Sequence, residues 1–251
     1  MTFAKPGILR LIPSGPNPVI WDYQQLLAGK LRAAWDAREG GEFAPGLWVS
    51  HRDVVSGLRV VAPSDAERPL CVADGSNFRG QRVIGITQTN NRRMVTQAMP
   101  NVVPVAARPE VFMVARLPNG AAQSGNLCGC ADAGAGSTAG ASLWANGSGG
   151  LNAIVGSVAM GAAYADTANV HLFTAANEGA TSRFLIDNAP FASTTGAGAA
   201  LATTQAAVGG FATGFTATVN AFVALWGIVC PAMTDAERAQ LLEIARNDWA
   251  F

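Results

Sequence analysis

The apolar residues of this chain come in short runs separated by Gly, Asn, Asp and Pro, and the runs are spaced at similar intervals. This texture constrains the fold more than any other feature, because it predicts an antiparallel all-β chain of short strands joined by turns. The clearest strands are Leu58 to Val61, Arg82 to Ile86, Val111 to Ala115 and Ala221 to Trp226. Val111 to Ala115 is apolar throughout, as a strand covered on both faces requires. Val170 to Thr174 and Ser182 to Ile186 alternate more loosely. The second of these runs into Asp187-Asn188-Ala189-Pro190, a turn signal because Asp and Asn tolerate left-handed backbone.

One segment breaks the β texture. Thr234-Asp235-Ala236-Glu237 is a capping box, in which the threonine hydroxyl accepts from a backbone N–H three residues on and Glu237 reaches back. Leu241, Leu242, Ala245 and Trp249 then fall on one helical stripe, with Met233 placed as a staple. The spacing predicts a short amphipathic C-terminal helix folded onto the strands.

The first thirty residues differ again. Pro13, Pro16 and Pro18 punctuate an extended or turn segment, and Trp21 and Tyr23 follow with apolar surface. Residues 1–29 are read as an N-terminal arm and residues 30–251 as one sandwich domain, a length that buries a full core. The arm either lies on its own domain or anchors the chain to a neighbouring subunit. Gly, Ala, Ser and Thr dominate 121–150 and 192–213, where Trp144, Leu151, Ile154 and Val155 recur in or just after the first stretch. These stretches are read as short strands with small side chains joined by broad Gly-rich loops. Small side chains also suit a tightly packed interface between subunits.

Charge excludes several functions. Lys+Arg and Asp+Glu balance at 17 each, and no basic block offers the electrostatic footprint of a nucleic-acid binder. No run approaches the roughly 18 apolar residues of a membrane span, so no membrane insertion is expected. The N-terminus lacks a basic region followed by an apolar one, so no cleavable secretion signal is expected. Cys128-Gly129-Cys130 is the one close cysteine pair and lacks the further ligands of a zinc site. Free thiols, and synthesis in a reducing compartment, are the reading.

Taken in order, the segments resemble the laminin G-like subset of concanavalin A-like domains, found in many phage and bacterial surface proteins. Leu31 to Ala37 is similar to the opening "L-x-x-W-D-A" strand of that family. Glu67-Arg68-Pro69 and Asn77 to Val83 resemble its "R-P" and "N-G-x-x-x-V" segments, and Pro109 to Arg116 its central "T-V-F-x-V-x-R" strand. Asn169 to Phe173 and Thr181 to Asn188 resemble the strands ending in "Y-V-D-G", with Asn188 in place of the glycine. Ala207 to Gly210, Phe222 to Trp226 and Met233 to Arg238 resemble the "L-x-G-G" strand, the last core strand and the "S-D-A-E-R" helix. The resemblance implies an antiparallel concanavalin A-like jelly-roll sandwich with an N-terminal extended arm and a short C-terminal helix. It also implies glycan binding by loops at one rim, in some members with calcium.

Catalysis requires more than the fold. Retaining glycosidases need two carboxyls about 5 Å apart. The nearest grouping is Asp36, Glu39 and Glu42, which the Gly40-Gly41 turn places in a solvated loop. His51 and His171 are the two histidines, and neither neighbours a nucleophile elbow. His51 fits a local polar cluster and His171 an ordinary sheet position. No catalytic residues are assigned, and calcium has no clear cluster of acidic ligands. For binding, Trp144 and Asn146 are the candidates: an indole covers the apolar face of a sugar and an amide bonds its hydroxyls. The alternative for Trp144 is a core residue beneath a loop.

Three functions stay open. The first is a non-catalytic virion structural protein, a phage tail, appendage or decoration component, that packs with itself and other virion proteins and binds host surface glycan. The second is a stand-alone bacterial carbohydrate-binding module, and the third is a polysaccharide-degrading enzyme. The free thiols, the proline-rich arm and the small-residue surfaces favour the first. Homo-oligomerisation and location in a virion are expected on the same grounds.

Overall fold

A computed structural model describes residues 22–39, 41–73, 77–96, 108–121, 124–131, 140–156, 158–196, 205–210, 219–249 and 251. Pro13, Pro16, Pro18 and Trp21 of the arm lie outside the described residues. Helix α1 (Asp22–Leu26) precedes strands β1 (Leu31–Asp36), β2 (Gly41–Ala44), β3 (Leu47–Arg52), β4 (Arg59–Val61) and β5 (Leu70–Ala73). Next come β6 (Arg82–Ile86), β7 (Met94–Thr96), β8 (Glu110–Arg116), β9 (Ser124–Ala131), β10 (Gly140–Asn146) and β11 (Gly150–Gly156). Then follow β12 (Val158–Ala163), β13 (Val170–Asn177), β14 (Thr181–Ile186), β15 (Ala189–Thr195), β16 (Gln205–Val208), β17 (Ala221–Val229) and helix α2 (Asp235–Trp249).

The described pairings are all antiparallel, and they link the strands into one sheet that folds back on itself. One half runs β15-β14-β13-β8-β17. Its β17 pairs with β6 through Ala221–Val223 and with β1 through Leu225–Val229. The other half runs β12-β11-β10-β9-β16-β7-β4-β3-β2. Strand β5 joins them, bonding β6 along its length and meeting β3 at Leu47 and Leu70. Strands β12 and β15 come alongside each other, so the sheet is nearly closed.

The main core lies between the two halves. Trp35 and Trp226 are fully buried there and stacked, with ring centroids 4.1 Å apart and planes 10° apart. Strand β8 shows why its sequence is apolar throughout: Val111, Met113 and Ala115 enter this core. Phe112 and Val114 enter a second cluster on the opposite face, with Leu241, Leu242, Ala245 and Trp249 of α2. The continuous apolar run therefore serves two cores.

Helix α2 is capped as its sequence predicts. The Thr234 and Glu237 backbone N–H groups donate to Glu237 Oε2 (2.6 Å) and Thr234 Oγ1 (3.2 Å) respectively. Lys30 Nζ adds a 2.6 Å ion pair to Glu237. Tyr23 of α1 packs fully buried in the α2 cluster, so that side chain is occupied within its own chain.

Beneath the helix sits a buried ion pair. Arg238 Nε and Nη2 donate to Glu110 Oε1 (2.7 Å) and Oε2 (3.0 Å), and the Met233 N–H adds a third bond to Glu110 (2.8 Å). Both side chains are essentially inaccessible. Arg238 also reaches Glu178 and Asp235, which Arg183 bridges from β14.

Three local expectations meet a specific outcome. Asp187 and Asn188 take left-handed backbone (φ 51° and 63°) and close the β14–β15 hairpin. The small-residue region 121–150 gives β9 and β10, which are longer than expected because glycine lets neighbours approach closely. A Cβ on Gly129 would fall 2.3 Å from the Ala141 carbonyl oxygen. Asp36 is the correction: it ends β1 fully buried rather than in a solvated loop. Arg38, two residues on, donates to both its oxygens (2.6–3.1 Å), bonds Asp248 (2.8 Å) and stacks over Trp249 at 4.2 Å.

Candidate functional site

Strand β10 positions Trp144. Ala141, Leu143 and Ala145 point into the main core, so Ser142 and Trp144 lie on the other face of the sheet, Ser142 fully buried and Trp144 half-buried. Trp144 is half-buried, whereas Trp35, Trp48, Trp226 and Trp249 are fully buried. It is thus the one tryptophan among the described residues that keeps surface exposed.

Register decides what flanks it. Trp144 stands opposite Asn126 on β9 and opposite Asn152 on β11. Residues directly opposite across antiparallel strands share a face, so two amides bracket the indole in a row spanning about 10 Å. Asn152 stands opposite Gly161 on β12, where a Cβ would lie 2.0 Å from Asn152 Oδ1. That glycine leaves room for the amide to lie along the face. Asn152 Nδ2 donates to the Gly150 carbonyl at 3.2 Å.

Asn126 is fully buried, and neither atom of its amide has a hydrogen-bond partner among the described residues. The Ser142 hydroxyl shares this condition. Leaving such groups unpaired costs about 1–3 kcal/mol each. Asn126 is the one described side chain with two such atoms. The row carries no charged side chain: its donors and acceptors are amides and a hydroxyl.

Asn146 lies on the same strand, exposed, at the turn into β11. Its Oδ1 accepts from the Ser148 (2.8 Å) and Gly150 (2.9 Å) N–H groups, which fixes the hairpin. The structure therefore puts Trp144 beside Asn126 and Asn152, while the Asn146 carbonyl oxygen is engaged by its own turn.

The titratable groups elsewhere are engaged in structure. His51 is fully buried, and its Nε2 contacts the Asp36 and Glu39 carbonyl oxygens, both at 2.8 Å. Burial pulls its pKa below the ordinary histidine value, against the raising effect of those carbonyls. Asp53 accepts from the Ala34, Val55 and Ser56 N–H groups and from the Ser56 hydroxyl, tying β1 to the turn after β3. Burial raises the Glu110 carboxyl, while Arg238 and the Met233 N–H oppose the shift. His171 is not an ordinary sheet residue, because it sits between Asp166 and Asp187. Asp166 is held well below the usual carboxylate range, first by the Asn169 side chain and then by backbone N–H groups.

Cys71, Cys128, Cys130 and Cys230 are free thiols, and burial raises the pKa of each. Among the described residues, no group of three or more His, Cys, Asp or Glu is arranged to hold a metal ion. No described helix is long and apolar enough to cross a membrane.

No protein-family model and no curated protein sequence matches the chain. Solved structures do match it in fold. Trypanosoma rangeli sialidase, in complex with 2,3-difluorosialic acid, is 12% identical with a TM-score of 0.55, over 88% of this chain and 34% of that one. The binding domain of Paraclostridial mosquitocidal protein 1 is 9% identical with a TM-score of 0.60, over 86% and 52%. The botulinum neurotoxin serotype D ligand-binding domain, in complex with N-acetylneuraminic acid, is 8% identical with a TM-score of 0.60, over 87% and 52%. The chain thus spans between a third and about half of the length of these structures. At such identity the likeness establishes the fold, a large antiparallel β-sandwich.

Proposed function

We propose that this chain is a non-catalytic glycan-binding domain of the concanavalin A-like jelly-roll kind, with its site on the outer face of β9, β10 and β11. The observation that carries the reading is the row Asn126–Trp144–Asn152: a half-buried indole bracketed by two amides on adjacent strands. The indole supplies an apolar platform for the C–H face of a sugar, and the half-buried Asn152 amide beside it supplies a donor and acceptor for its polar edge, with Asn126 fully buried on the other flank. Two fold neighbours in complex with sialic acid derivatives support a glycan as the ligand class.

Two carboxylates with shifted protonation, Asp166 and Glu110, do not suit the role of a glycosidase acid. A glycosidase acid must hold its proton near neutral pH. Asp166 is shifted the opposite way. Glu110 is shifted upward but lies sealed under Arg238 and Met233, out of reach of a substrate.

The setting we propose is a virion, in a tail, appendage or decoration protein that packs with copies of itself. Four free thiols fit synthesis in a reducing compartment, and the arm offers an anchoring segment. Mass spectrometry of purified particles tests the setting, which fails if the chain is absent from them.

Glycan-array screening of the wild-type chain beside Trp144→Ala tests the function. Selective binding that disappears in the variant is expected. Equal binding by both chains moves the site elsewhere, and an array without hits defeats the reading.

A further inference from the structure

His171 lies on the core-facing side of β13, at the rim of the sandwich. Its Nδ1 is hydrogen-bonded to Asp187 Oδ2 (2.7 Å) in the β14–β15 turn, and its Nε2 lies at an ion-pair distance of 3.2 Å from Asp166 Oδ2 in the β12–β13 loop, without hydrogen-bond geometry. Tyr164, at the end of β12, meets the imidazole edge-on at 6.2 Å, and Phe173 does so at 5.9 Å. Strand β8 places uncharged Ala115 opposite. The adjacent Arg116 stacks over Phe222 on the other face. Among the described residues, the titratable groups facing the ring are therefore Asp166, Asp187 and Tyr164.

A neutral imidazole has one N–H, and its other nitrogen carries a lone pair. Two carboxylates beside the two nitrogens favour the imidazolium, which keeps the Asp187 bond and presents positive charge to Asp166, where a neutral ring would present none. We propose that His171 is a protonation-dependent clasp: charged, it ties the β12–β13 loop to the β14–β15 turn, and neutral, it keeps Asp187 and releases Asp166. This goes beyond the glycan reading, and its test needs no ligand.

The two carboxylates are held unequally, which sets the order of release. Asp187 is pinned to β13 by its own backbone, its N–H donating to the Leu172 carbonyl (2.9 Å) while its Oδ1 accepts from the Leu172 N–H (2.9 Å). Asp166 belongs to its own loop, accepting from the Ala168 and Asn169 N–H groups and from Asn169 Nδ2. About a third of its side chain is exposed, so water replaces the imidazole there. A lone pair facing this carboxylate repels it, and the loop has no other acidic tie to His171. The loop leaves Tyr164, whose N–H donates to the Gly149 carbonyl in the turn after β10 (2.8 Å). A released loop thus moves beside the hairpin that follows Trp144.

Partial burial lowers the His171 pKa, but Asp187 and then Asp166 outweigh it and leave the group raised. A raised folded value means that the clasp contributes fully below the unfolded histidine pKa, about 6.5, and is lost as pH rises through the folded value.

The test is NMR of the full chain, following the His171 ring nitrogens and the backbone amides of Ala168 and Asn169 from acid to alkaline pH. The expected result is one shared midpoint, with amide hydrogen exchange in the loop (corrected for its intrinsic pH dependence) several-fold faster above it. Asp166→Asn should bring the His171 midpoint down and leave the loop insensitive to it. This side chain is partly exposed, so the variant folds, and His171→Gln serves as a second control with a loop flat across the range. Loop amides that stay unchanged through the His171 midpoint overturn the clasp, as does an Asp166→Asn chain with an unmoved midpoint.

Discussion

The two outer faces of this sandwich are finished in different ways. On one, the chain lays its own helix α2 over β8, β13 and β17, fills the gap with Trp249 and Tyr23, and locks it with the Glu110–Arg238 pair. On the other, the row across β9, β10 and β11 holds a half-buried tryptophan and a fully buried asparagine whose two amide atoms have no partner among the described residues. The first face has the chemistry of a completed core, apolar with its buried Glu110–Arg238 and Asp36–Arg38 pairs matched. The second carries polar groups whose partners the described residues do not supply. Such groups cost stability.

The largest effect should come from breaking the completed face. Glu110→Ala leaves Arg238 buried with its main partner gone and should cost about 3–5 kcal/mol by denaturant unfolding. A loss below about 1 kcal/mol would mean that the helix is not locked by this pair. The other face should respond with the opposite sign. Asn126→Leu removes an amide without a partner among the described residues, at similar volume, and should raise stability by about 1–3 kcal/mol. Destabilisation on that scale would show Asn126 to be a satisfied structural residue, and the contrast between the faces would collapse.

Smaller effects refine the picture of the helical cover. Thr234→Ala removes the N-cap hydroxyl of α2 and should cost about 1 kcal/mol, with binding unchanged, since the cap lies on the opposite side from Trp144. The smallest effect comes from pH. His51 is buried with a lowered pKa, so the unfolded chain binds its proton more readily and stability falls as pH drops below about 6.5. His51→Gln should remove that part of the slope in an unfolding series. A slope of the opposite sign would mean that His51 is charged in the fold.

The sequence carried much of the architecture and little of the site. Strands such as Val111 to Ala115 were legible because burial on both faces leaves a continuous apolar run, and α2 was legible because its capping box and stripe are local. Trp144 was legible as a candidate, but its neighbours were not. Asn126 and Asn152 flank it through cross-strand register, and a register shift between Leu143 and Trp144 changes which β9 residues share its face. Counting along the chain favoured Asn146, whose carbonyl oxygen the β10–β11 turn uses instead. Asp36 was misread for a similar reason: the adjacent glycine turn signalled solvent, whereas burial follows from Arg38 folding back and α2 arriving from the far end of the chain. The His171 clasp was hidden as well, since Asp187 meets the ring only once β13 and β14 pair, and Asp166 only through the fold of the loop before β13.

The most direct test of the account is calorimetric titration of the best array glycan into the wild-type chain and Trp144→Ala, each checked for unchanged thermal unfolding. The account predicts that the variant stays folded and loses affinity by about tenfold or more, equivalent to ~1.4 kcal/mol. Equal affinity in the two folded chains would contradict it, and the outer face of β9, β10 and β11 would no longer be the binding site.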